Sequence, residues 1–285
     1  MCPWPTGDAG DRWRLVRRGT FRWRGTRVLS ESVSLTSGLD VAARPSGGPT
    51  PSNAPRVDLE WGLQGARHLG PSADAIVVVD VLSFCTSVTV ACERGACVWP
   101  HPGGEEAQAL ARSLEAVLAG TRSHREGPSL SPTSLLDLPA RSRLVLPSPN
   151  GSSLTHALMS SRCVVVAGCL RNAAAAARRV AGLRRVLLLC AGERWGDGSV
   201  RFAYEDLVGA GAVIERLSAQ VPGLVRSPDA HAAALAFRDL QPLELTSSGA
   251  ELVERGFAAD VELASQVDVS EVAPVLVDGR FATAA

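Results

Sequence analysis

Short apolar runs alternate with amphipathic segments along most of this chain, from about residue 57 onward. The runs are IVVVDVL, ACVWP, RLVLPSP, CVVVAGCL and RRVLLLCAG. They are rich in Val and Leu and do not alternate with polar residues, which is typical of strands covered on both faces. Strands that alternate with helices predict a layered α/β domain with a largely parallel sheet.

Three segments have a helical pattern. The segment EEAQALARSLEAVLAG predicts a helix with Gly120 as its C-terminal stop. The segment NAAAAARRVAG predicts a second helix with Asn172 as its N-cap. The segment YEDLVGAGAVIERLSAQ predicts a third, with Glu205 and Asp206 in its first turn. The apolar stripe of the first segment consists of Ala107, Leu110, Ala111, Leu114, Val117 and Leu118.

Residues 1–56 differ in composition from the rest of the chain. They are rich in Arg, Trp, Ser, Gly and Pro, and ARPSGGPTPSNAPR has the composition of a linker. We interpret residues 1–56 as a largely disordered N-terminal extension and residues 57–285 as the folded domain. The first residues lack the apolar core of a secretory signal, and we expect no membrane span.

Charge and cysteine usage narrow the function classes. The 29 basic and 29 acidic residues balance, so the chain lacks the basic field typical of nucleic-acid binders. Every basic residue is Arg or His, which excludes Schiff-base chemistry on a lysine and the lysine of a P-loop. The seven cysteines contain no C-x-x-C pair and lie mostly in apolar runs, as expected for reduced thiols in a cytoplasmic protein.

Polar residues follow the predicted strands, and ligands of open α/β sheets bind at the carboxyl ends of strands. Carboxylates bind Mg²⁺, Gly- and Ser-rich loops bind phosphate oxygens, and arginines bind acidic groups. The mixture therefore predicts a site for a small phosphorylated acid together with Mg²⁺. The sets are Asp80, Ser83, Thr86 and Ser87; Asn150, Gly151, Ser152 and Ser153; Arg171 and Asn172; Glu193 and Arg194; and Glu205 and Asp206.

Each set also has a structural interpretation. Asp80 could cap the following helix, Asn150-Gly151 is a common turn, and Glu205-Asp206 suits a helix dipole. The functional interpretation depends on the sets meeting at one edge of a sheet. Standard phosphatase and hydrolase motifs are missing from the sequence: there is no Cys-x5-Arg, no G-x-S-x-G, and no second Asp two residues after Asp80.

Five stretches, in order, resemble the 2-phosphosulfolactate phosphatase (ComB-like) family. They are EWGLQGARHL, VVVDVLSFCTSVTVA, PSPNGSSL, GCLRNAAAAA and LLLCAGERWGDGSVRFAYEDLVGAGAVIERL. The resemblance spans about residues 57–280. It implies a three-layer α/β/α fold with a mostly parallel or mixed sheet. It also implies a Mg²⁺-dependent phosphatase that converts (R)-2-phospho-3-sulfolactate to (R)-3-sulfolactate in coenzyme M biosynthesis.

The resemblance carries site residues onto matching positions and also shows two departures, at Ser83 and in the region SHREGPSLSPTSLLDLP, where the family tends to have a Gly-Glu-Arg loop. The carried residues are Asp80, Asn150, Gly151, Asn172, Glu205 and Asp206. The family commonly has an arginine where this chain has Ser83, and Arg171 and Arg194 are the nearby candidates to replace it. The substrate therefore carries over less well than the fold. A phosphatase for another phosphorylated hydroxy acid, or an inactive binding protein of the same fold, remain alternatives.

The resulting mechanistic hypothesis assigns each residue type a role. Asp80, Glu205 and Asp206 are the candidate catalytic residues and Mg²⁺ ligands, with one carboxylate left as general base. Backbone N–H groups of the Asn150-Gly151-Ser152 turn are expected to bind phosphate, with Ser83, Thr86, Arg171, Asn172 and Arg194 nearby. Asp80 as a covalent nucleophile is the rival version. The sequence leaves a homo-oligomer open.

Overall fold

Twelve strands and nine α-helices are present in the computed structural model, which describes residues 54–123 and 127–283. The strands are β1 (Arg56–Trp61), β2 (Ala75–Val79), β3 (Cys97–His101), β4 (Val117–Leu118), β5 (Arg143–Pro147), β6 (Val164–Gly168), β7 (Arg185–Cys190), β8 (Glu193–Arg194), β9 (Val200–Arg201), β10 (Val225–Arg226), β11 (Pro274–Val277) and β12 (Arg280–Thr283). The helices are α1 (Gly62–Leu69), α2 (Phe84–Glu93), α3 (Gly104–Ser113), α4 (Gly151–Ala157), α5 (Ala173–Val180), α6 (Tyr204–Gln220), α7 (Pro228–Arg238), α8 (Ser247–Glu254) and α9 (Ala258–Ser265).

Ten of these strands form one mixed sheet in the order β10-β1-β7-β2-β6-β11-β12-β3-β5-β4. Strands β10, β1, β7, β2 and β6 are parallel to one another, and so are β3, β5 and β4. The hairpin β11-β12 lies between the two groups and pairs antiparallel with β6 on one side and β3 on the other. Three successive antiparallel pairings make the second parallel group run opposite to the first.

Helices cover both faces of the larger parallel group. All five residues of β2 and all but the first of β7 are buried, so these strands present apolar side chains to both faces. The connection from β1 through α1 to β2 and the connection from β6 through α5 to β7 run in opposite directions across the sheet. Because such crossovers are right-handed, α1 and α5 lie on opposite faces. The predicted three-layer α/β/α fold with a mixed sheet is confirmed.

The predicted helices agree with the structure to different degrees. Helix α6 has the predicted bounds, Tyr204–Gln220. The prediction that the segment after Gly103 stays helical as far as Gly120 is wrong. Helix α3 ends at Ser113, Glu115 adopts a positive φ of 50°, and Val117–Leu118 pairs with β5 as an edge strand. A positive φ cannot continue a right-handed helix, and β-branched Val suits a strand.

Asn172 is the N-cap residue of α5, as predicted, but its side chain forms no hydrogen bond with the first turn of that helix. Its Oδ1 accepts a hydrogen bond from the Cys169 N–H at 2.9 Å, and its Nδ2 donates to the Val272 carbonyl at 3.0 Å. The side chain of Asp268, far along the chain, accepts a hydrogen bond from the Ala174 N–H at 2.7 Å instead. A long-range contact therefore caps the first turn of α5.

The boundary placed after residue 56 falls inside β1, which already begins at Arg56. Residues 1–53 lie outside the described residues, so their interpretation as a disordered extension stays a prediction. The six cysteines of the described residues are free thiols, and four of them are buried. None of the helices between residues 54 and 283, as far as they are described, has both the length and the apolarity needed to span a membrane.

A close contact between α6 and α7 gives a test of this packing. A Cβ at Gly211 would lie 2.0 Å from the carbonyl oxygen of Ala233. We expect Gly211→Ala to lower the free energy of unfolding by about 1–3 kcal/mol, because two helix backbones must separate. Gly182→Ala is the matched control, since a Cβ there meets nothing within 4 Å. Urea unfolding checks both variants, and equal stabilities would contradict the contact.

Candidate active site

Asp80 follows β2 and is held by backbone N–H groups from two directions. Its Oδ1 accepts a hydrogen bond from the Phe84 N–H at 3.0 Å, and its Oδ2 accepts one from the Gly151 N–H at 2.8 Å. Only 6% of the residue is exposed. A Cβ at Gly151 would lie 2.5 Å from Asp80 Oδ2 and 2.5 Å from the Phe84 ring. Glycine is therefore required for the chain to approach Asp80 this closely.

The contact between Asp80 and Gly151 joins the two parallel groups of the sheet. Gly151 follows β5, which runs opposite to β2, so the two strand ends do not share an edge through parallel pairing. The polar sets were expected to meet at one edge of a largely parallel sheet, and this pair meets although its two strands run in opposite directions. Their convergence depends on the connection across the β11-β12 hairpin and on this hydrogen bond.

Asp206, in the first turn of α6, joins two further strand ends. Its Oδ1 accepts a hydrogen bond from the Val81 N–H at 2.8 Å, and its Oδ2 accepts one from the Gly192 N–H at 2.9 Å. Val81 follows β2 and Gly192 follows β7. Both carboxylate oxygens of Asp206 are thus engaged by backbone, which gives this residue a positioning role beside Asp80.

Glu193 and Asn150 form a side-chain pair at the same place. Asn150 Nδ2 donates to Glu193 Oε2 at 2.9 Å, which links the turn after β5 to the start of the β8-β9 hairpin. Glu193 was among the polar residues noted after the strands but was not predicted as a site residue. The structure places it with the predicted carboxylates, because it interacts electrostatically with Asp80 and Glu205.

Glu205 is the carboxylate of this group that is most available to a ligand. It is 2% exposed, yet no donor within the described residues forms a hydrogen bond with its side chain. Glu205 lines a cavity of about 420 Å³ together with Tyr204, Thr246, Ser247 and Ser248. Its oxygens are therefore available to a ligand that enters this cavity.

Burial and mutual repulsion raise the pKa values of the carboxyl groups. The pKa of Asp80 is raised to about 6, mainly by burial and further by Glu193 and Glu205, against the effect of its two N–H bonds. Burial, then Asp80 and Glu205, raises the pKa of Asp206 well above its usual range. Burial also raises the pKa of Glu193. Such shifts favour the protonated form of each group, and carboxyl groups with raised pKa values are typical of functional sites.

The donor set fits a hard cation such as Mg²⁺. Glu193 and Glu205 raise the pKa of Asp80, and Glu205 raises the pKa of Glu193, so a bound cation would relieve the repulsion among these side chains. In the described part of the chain, no three Asp, Glu, His or Cys side chains are arranged to hold a metal by themselves. Mg²⁺ commonly uses one or two carboxylates and completes its shell with water and substrate oxygens. That mode requires no larger protein ligand set.

An arginine reaches Ser83 from a different loop. Arg122 Nη2 donates to Ser83 Oγ at 2.6 Å, and Arg122 Nη1 forms an ion pair with Asp260. Arg122 is therefore an arginine in direct contact with residue 83, where the family resemblance led us to expect one. The sequence named Arg171 and Arg194 as candidates for this replacement, and neither contacts Ser83 among the described hydrogen bonds.

The two predicted arginines have other contacts. Arg171 forms an ion pair with Glu93 at 3.4 Å and a hydrogen bond with Gln266. The described hydrogen bonds of Arg171 and of its neighbour Asn172 do not reach the carboxylates of the candidate site around Asp80. Arg194 is exposed and donates to the Pro149 carbonyl at 3.4 Å, beside the Asn150 turn.

The predicted hydroxyl and turn residues stabilise the loops around the site. Thr86 Oγ1 donates to the Val81 carbonyl at 2.7 Å. Ser152 Oγ donates to the Leu146 carbonyl at 2.6 Å and is fully buried. The Gly151 N–H, predicted to bind phosphate, binds Asp80 instead. These hydrogen bonds stabilise the loops of the site, and none of them indicates which ligand the residues bind.

Two residues of the site were given no role from the sequence. Glu193 was included among the polar residues that follow the predicted strands, and that position was its only signal. Arg122 lies 39 positions after Ser83, and no local pattern connects the two. The missing arginine at position 83 led us to expect another cation nearby, but only the three-dimensional structure identifies it as Arg122.

Comparisons with known proteins agree on one family. The family model described as 2-phosphosulpholactate phosphatase matches residues 66–279. The chain is 31% identical over 218 residues to a probable 2-phosphosulfolactate phosphatase of Carboxydothermus hydrogenoformans, covering 73% of this chain and 89% of that protein. Similar proteins of the same description from Pseudothermotoga lettingae and Deinococcus radiodurans are 28% and 29% identical, each covering 72% of this chain and 90% and 89% of those proteins.

The raised pKa of Asp80 predicts a pH-dependent stability. Between about pH 4 and 6 the folded protein keeps a proton on Asp80 that the unfolded chain releases, so wild-type stability falls as the pH rises. Asp80→Asn removes this titration. We expect the variant to gain up to about 3 kcal/mol relative to wild type between pH 4 and pH 7.

Urea unfolding of both proteins at several pH values measures this difference. The contributions of groups common to both proteins largely cancel. The quantity to compare is therefore how the difference in the free energy of unfolding changes with pH. A constant difference across the range would show that Asp80 ionises normally in the folded state.

Proposed function

The chain belongs to the 2-phosphosulfolactate phosphatase family, and we propose that it hydrolyses the phosphate ester of (R)-2-phospho-3-sulfolactate to (R)-3-sulfolactate and phosphate. The family model covers residues 66–279, which include every carboxylate of the candidate site. The family relationship supports a phosphoric monoester hydrolase. The substrate is the one named in the descriptions of the relatives.

One observation of this structure carries the proposal. Asp80, Glu193 and Glu205 converge from β2, the β8-β9 hairpin and α6, and the pKa of Asp80 is raised to about 6. A buried carboxyl with a pKa close to neutral can accept a proton in a reaction near neutral pH.

The chain's own residues have distinct roles in the proposed reaction. Asp80 is positioned by the Phe84 and Gly151 N–H groups, and it accepts the proton of the attacking water. Glu205 faces the cavity with free acceptor capacity and orients the ligand there. Glu193 is fixed by Asn150 beside Asp80. Asp206 holds the ends of β2 and β7 in place and so sets the separation of the other carboxylates.

A Mg²⁺ ion would be held by Glu205 with Asp80 or Glu193, and when bound it would supply positive charge to the phosphoryl oxygens and acidify a coordinated water. The opposing version has Asp80 attack phosphorus directly. Acid quenching of a reaction with labelled substrate distinguishes the two, since only direct attack leaves the label on the protein.

Further features of the proposal come from sequence. The six cysteines between residues 54 and 283 that the structure describes are free thiols, four of them buried, and they support a cytoplasmic location. The balanced charge supports a small acid as substrate rather than a nucleic acid. A place in coenzyme M biosynthesis and a homo-oligomeric state stay predictions.

Phosphate release from synthetic (R)-2-phospho-3-sulfolactate is the direct test. We expect release by the full-length protein with Mg²⁺, loss of release with EDTA, and no turnover by Asp80→Asn. Release that continues in EDTA would contradict the Mg²⁺ requirement. Near-normal turnover by a folded Asp80→Asn variant would remove Asp80 from the chemistry.

The same assay distinguishes the alternatives. Absence of release from the folded wild-type protein would exclude this substrate, and a panel of phosphorylated hydroxy acids would follow. Turnover of another member of the panel would support a different phosphatase. Binding without any turnover would support the inactive binding protein.

Glu205 gives a second test within the same helix. We expect Glu205→Gln to lower kcat/KM by at least about 100-fold, because a neutral amide replaces the free carboxylate that faces the cavity. Glu215→Gln is the control, since Glu215 also lies in α6 but forms ion pairs with Arg226 and Arg238. Its kcat/KM should stay within about threefold of wild type. Equal losses in both variants would indicate a general effect on α6.

A further inference from the structure

A second cavity, lined by two arginines, adjoins the candidate active site. Its volume is about 740 Å³, and Arg122 and Arg255 line it together with Ser148 and Pro149. Ser148 and Pro149 directly precede Asn150, whose side chain binds Glu193. The cavity therefore reaches the turn after β5, while Arg122 contacts the loop after β2 through Ser83.

The guanidinium of Arg122 is held in one orientation. Its side chain is 8% exposed, and it forms an ion pair with Asp260 and a hydrogen bond with Ser83. Asp260 is itself fixed by the hydroxyls of Ser131 and Thr133, each at 2.6 Å. Among the described residues these two hydrogen bonds use two of the five N–H donors of Arg122. The side chain is thus preorganised, and donors remain for a ligand.

Arg255 shares an aromatic ring with Arg122. The guanidinium carbons of Arg122 and Arg255 lie 5.6 and 5.9 Å from the centroid of Phe257. Arg255 is exposed and forms an ion pair with Glu251 at 3.0 Å. Two like charges on one ring repel each other, and an anion between them would relieve this repulsion. Glu105 is the carboxylate residue in the lining, at the start of α3.

We infer that Arg122 and Arg255 bind the second acidic group of the substrate, a sulfonate or carboxylate, while its phosphate ester lies at the carboxylates around Asp80. The inference rests on the proposed function, because it assigns a part of that substrate to this cavity. Arginine suits the task because its planar fork of donors matches the oxygens of a carboxylate or sulfonate. Arg122 then determines specificity for acids over simple phosphate esters.

Steady-state kinetics with three substrates test the inference. They are (R)-2-phospho-3-sulfolactate, 2-phospholactate without the sulfonate, and 2-sulfoethyl phosphate without the carboxylate. We expect Arg122→Lys and Arg255→Ala to raise KM by about 10-fold or more for substrates with the recognised group, with kcat changed less than about threefold. KM for the substrate that lacks the recognised group should stay within about twofold. The substrate that is unaffected identifies whether sulfonate or carboxylate is bound.

Arg178→Ala is the matched control. Arg178 is an exposed arginine paired with Glu271, and the exposure of its side chain, 49%, is close to the 48% of Arg255. Its kinetics should match wild type for all three substrates. Thermal melting checks that Arg122→Lys is folded, and Arg255→Ala keeps the test valid if it is not. Equal changes for all three substrates, or no change in the folded variants, would overturn the inference.

Calorimetric titration with sulfolactate and lactate separates this inference from the proposed function. We expect wild type to bind sulfolactate, and Arg122→Lys and Arg255→Ala to weaken that binding by about 10-fold. If wild type hydrolyses none of the esters but binds sulfolactate in this arginine-dependent way, the proposed function fails and the inference stands. If wild type hydrolyses its substrate but sulfolactate binding is independent of both arginines, the inference fails and the function stands. Wild type that binds no sulfolactate also overturns the inference.

Discussion

Backbone N–H groups that bind buried carboxylates are the interaction on which this site and much of its fold depend. Asp80 and Asp206 together accept hydrogen bonds from four N–H groups in three different loops. A buried carboxylate without such partners would be strongly unfavourable, because it loses its hydration. The N–H bonds offset only part of this loss, and the remainder persists as raised pKa values. Burial and the backbone hydrogen bonds therefore determine both the stability of these loops and the pKa values of their carboxyl groups.

This arrangement explains why the site requires residues from distant parts of the chain. The Gly151 N–H reaches Asp80 only because no Cβ stands between them. Asp260, in the C-terminal third of the sequence, orients Arg122, which in turn contacts the loop beside Asp80. Each side chain is placed by a neighbour that belongs to another element. A change in one loop would consequently be transmitted to the others through hydrogen bonds rather than through apolar packing.

The sequence predicted local features well and long-range ones poorly. The buried strands and α6 follow from apolar periodicity, and Asp80, Glu205 and Asp206 follow from their positions at element ends. The Asp278-Gly279 turn is a local signal for the β11-β12 hairpin, but its position between the two parallel groups has no such signal, because the neighbours of a strand are determined by the tertiary fold. Asn172 is the N-cap residue of α5 as predicted, but the side chain that accepts a hydrogen bond from the first turn is that of Asp268, a long-range contact of the same kind. Arg122 was missed for this reason too.

The position of the β11-β12 hairpin in the sheet has a consequence for synthesis of the protein. Residues 274–283 connect β6 to β3, so the two parallel groups cannot form one continuous sheet before the ribosome has made this hairpin. Until then, β6 and β3 each expose an unpaired edge of the kind that promotes association between nascent chains. The earlier strands can pair as they emerge, but the sheet is completed late. Chaperone protection during translation would therefore matter most in the interval between the emergence of β6 and that of β12.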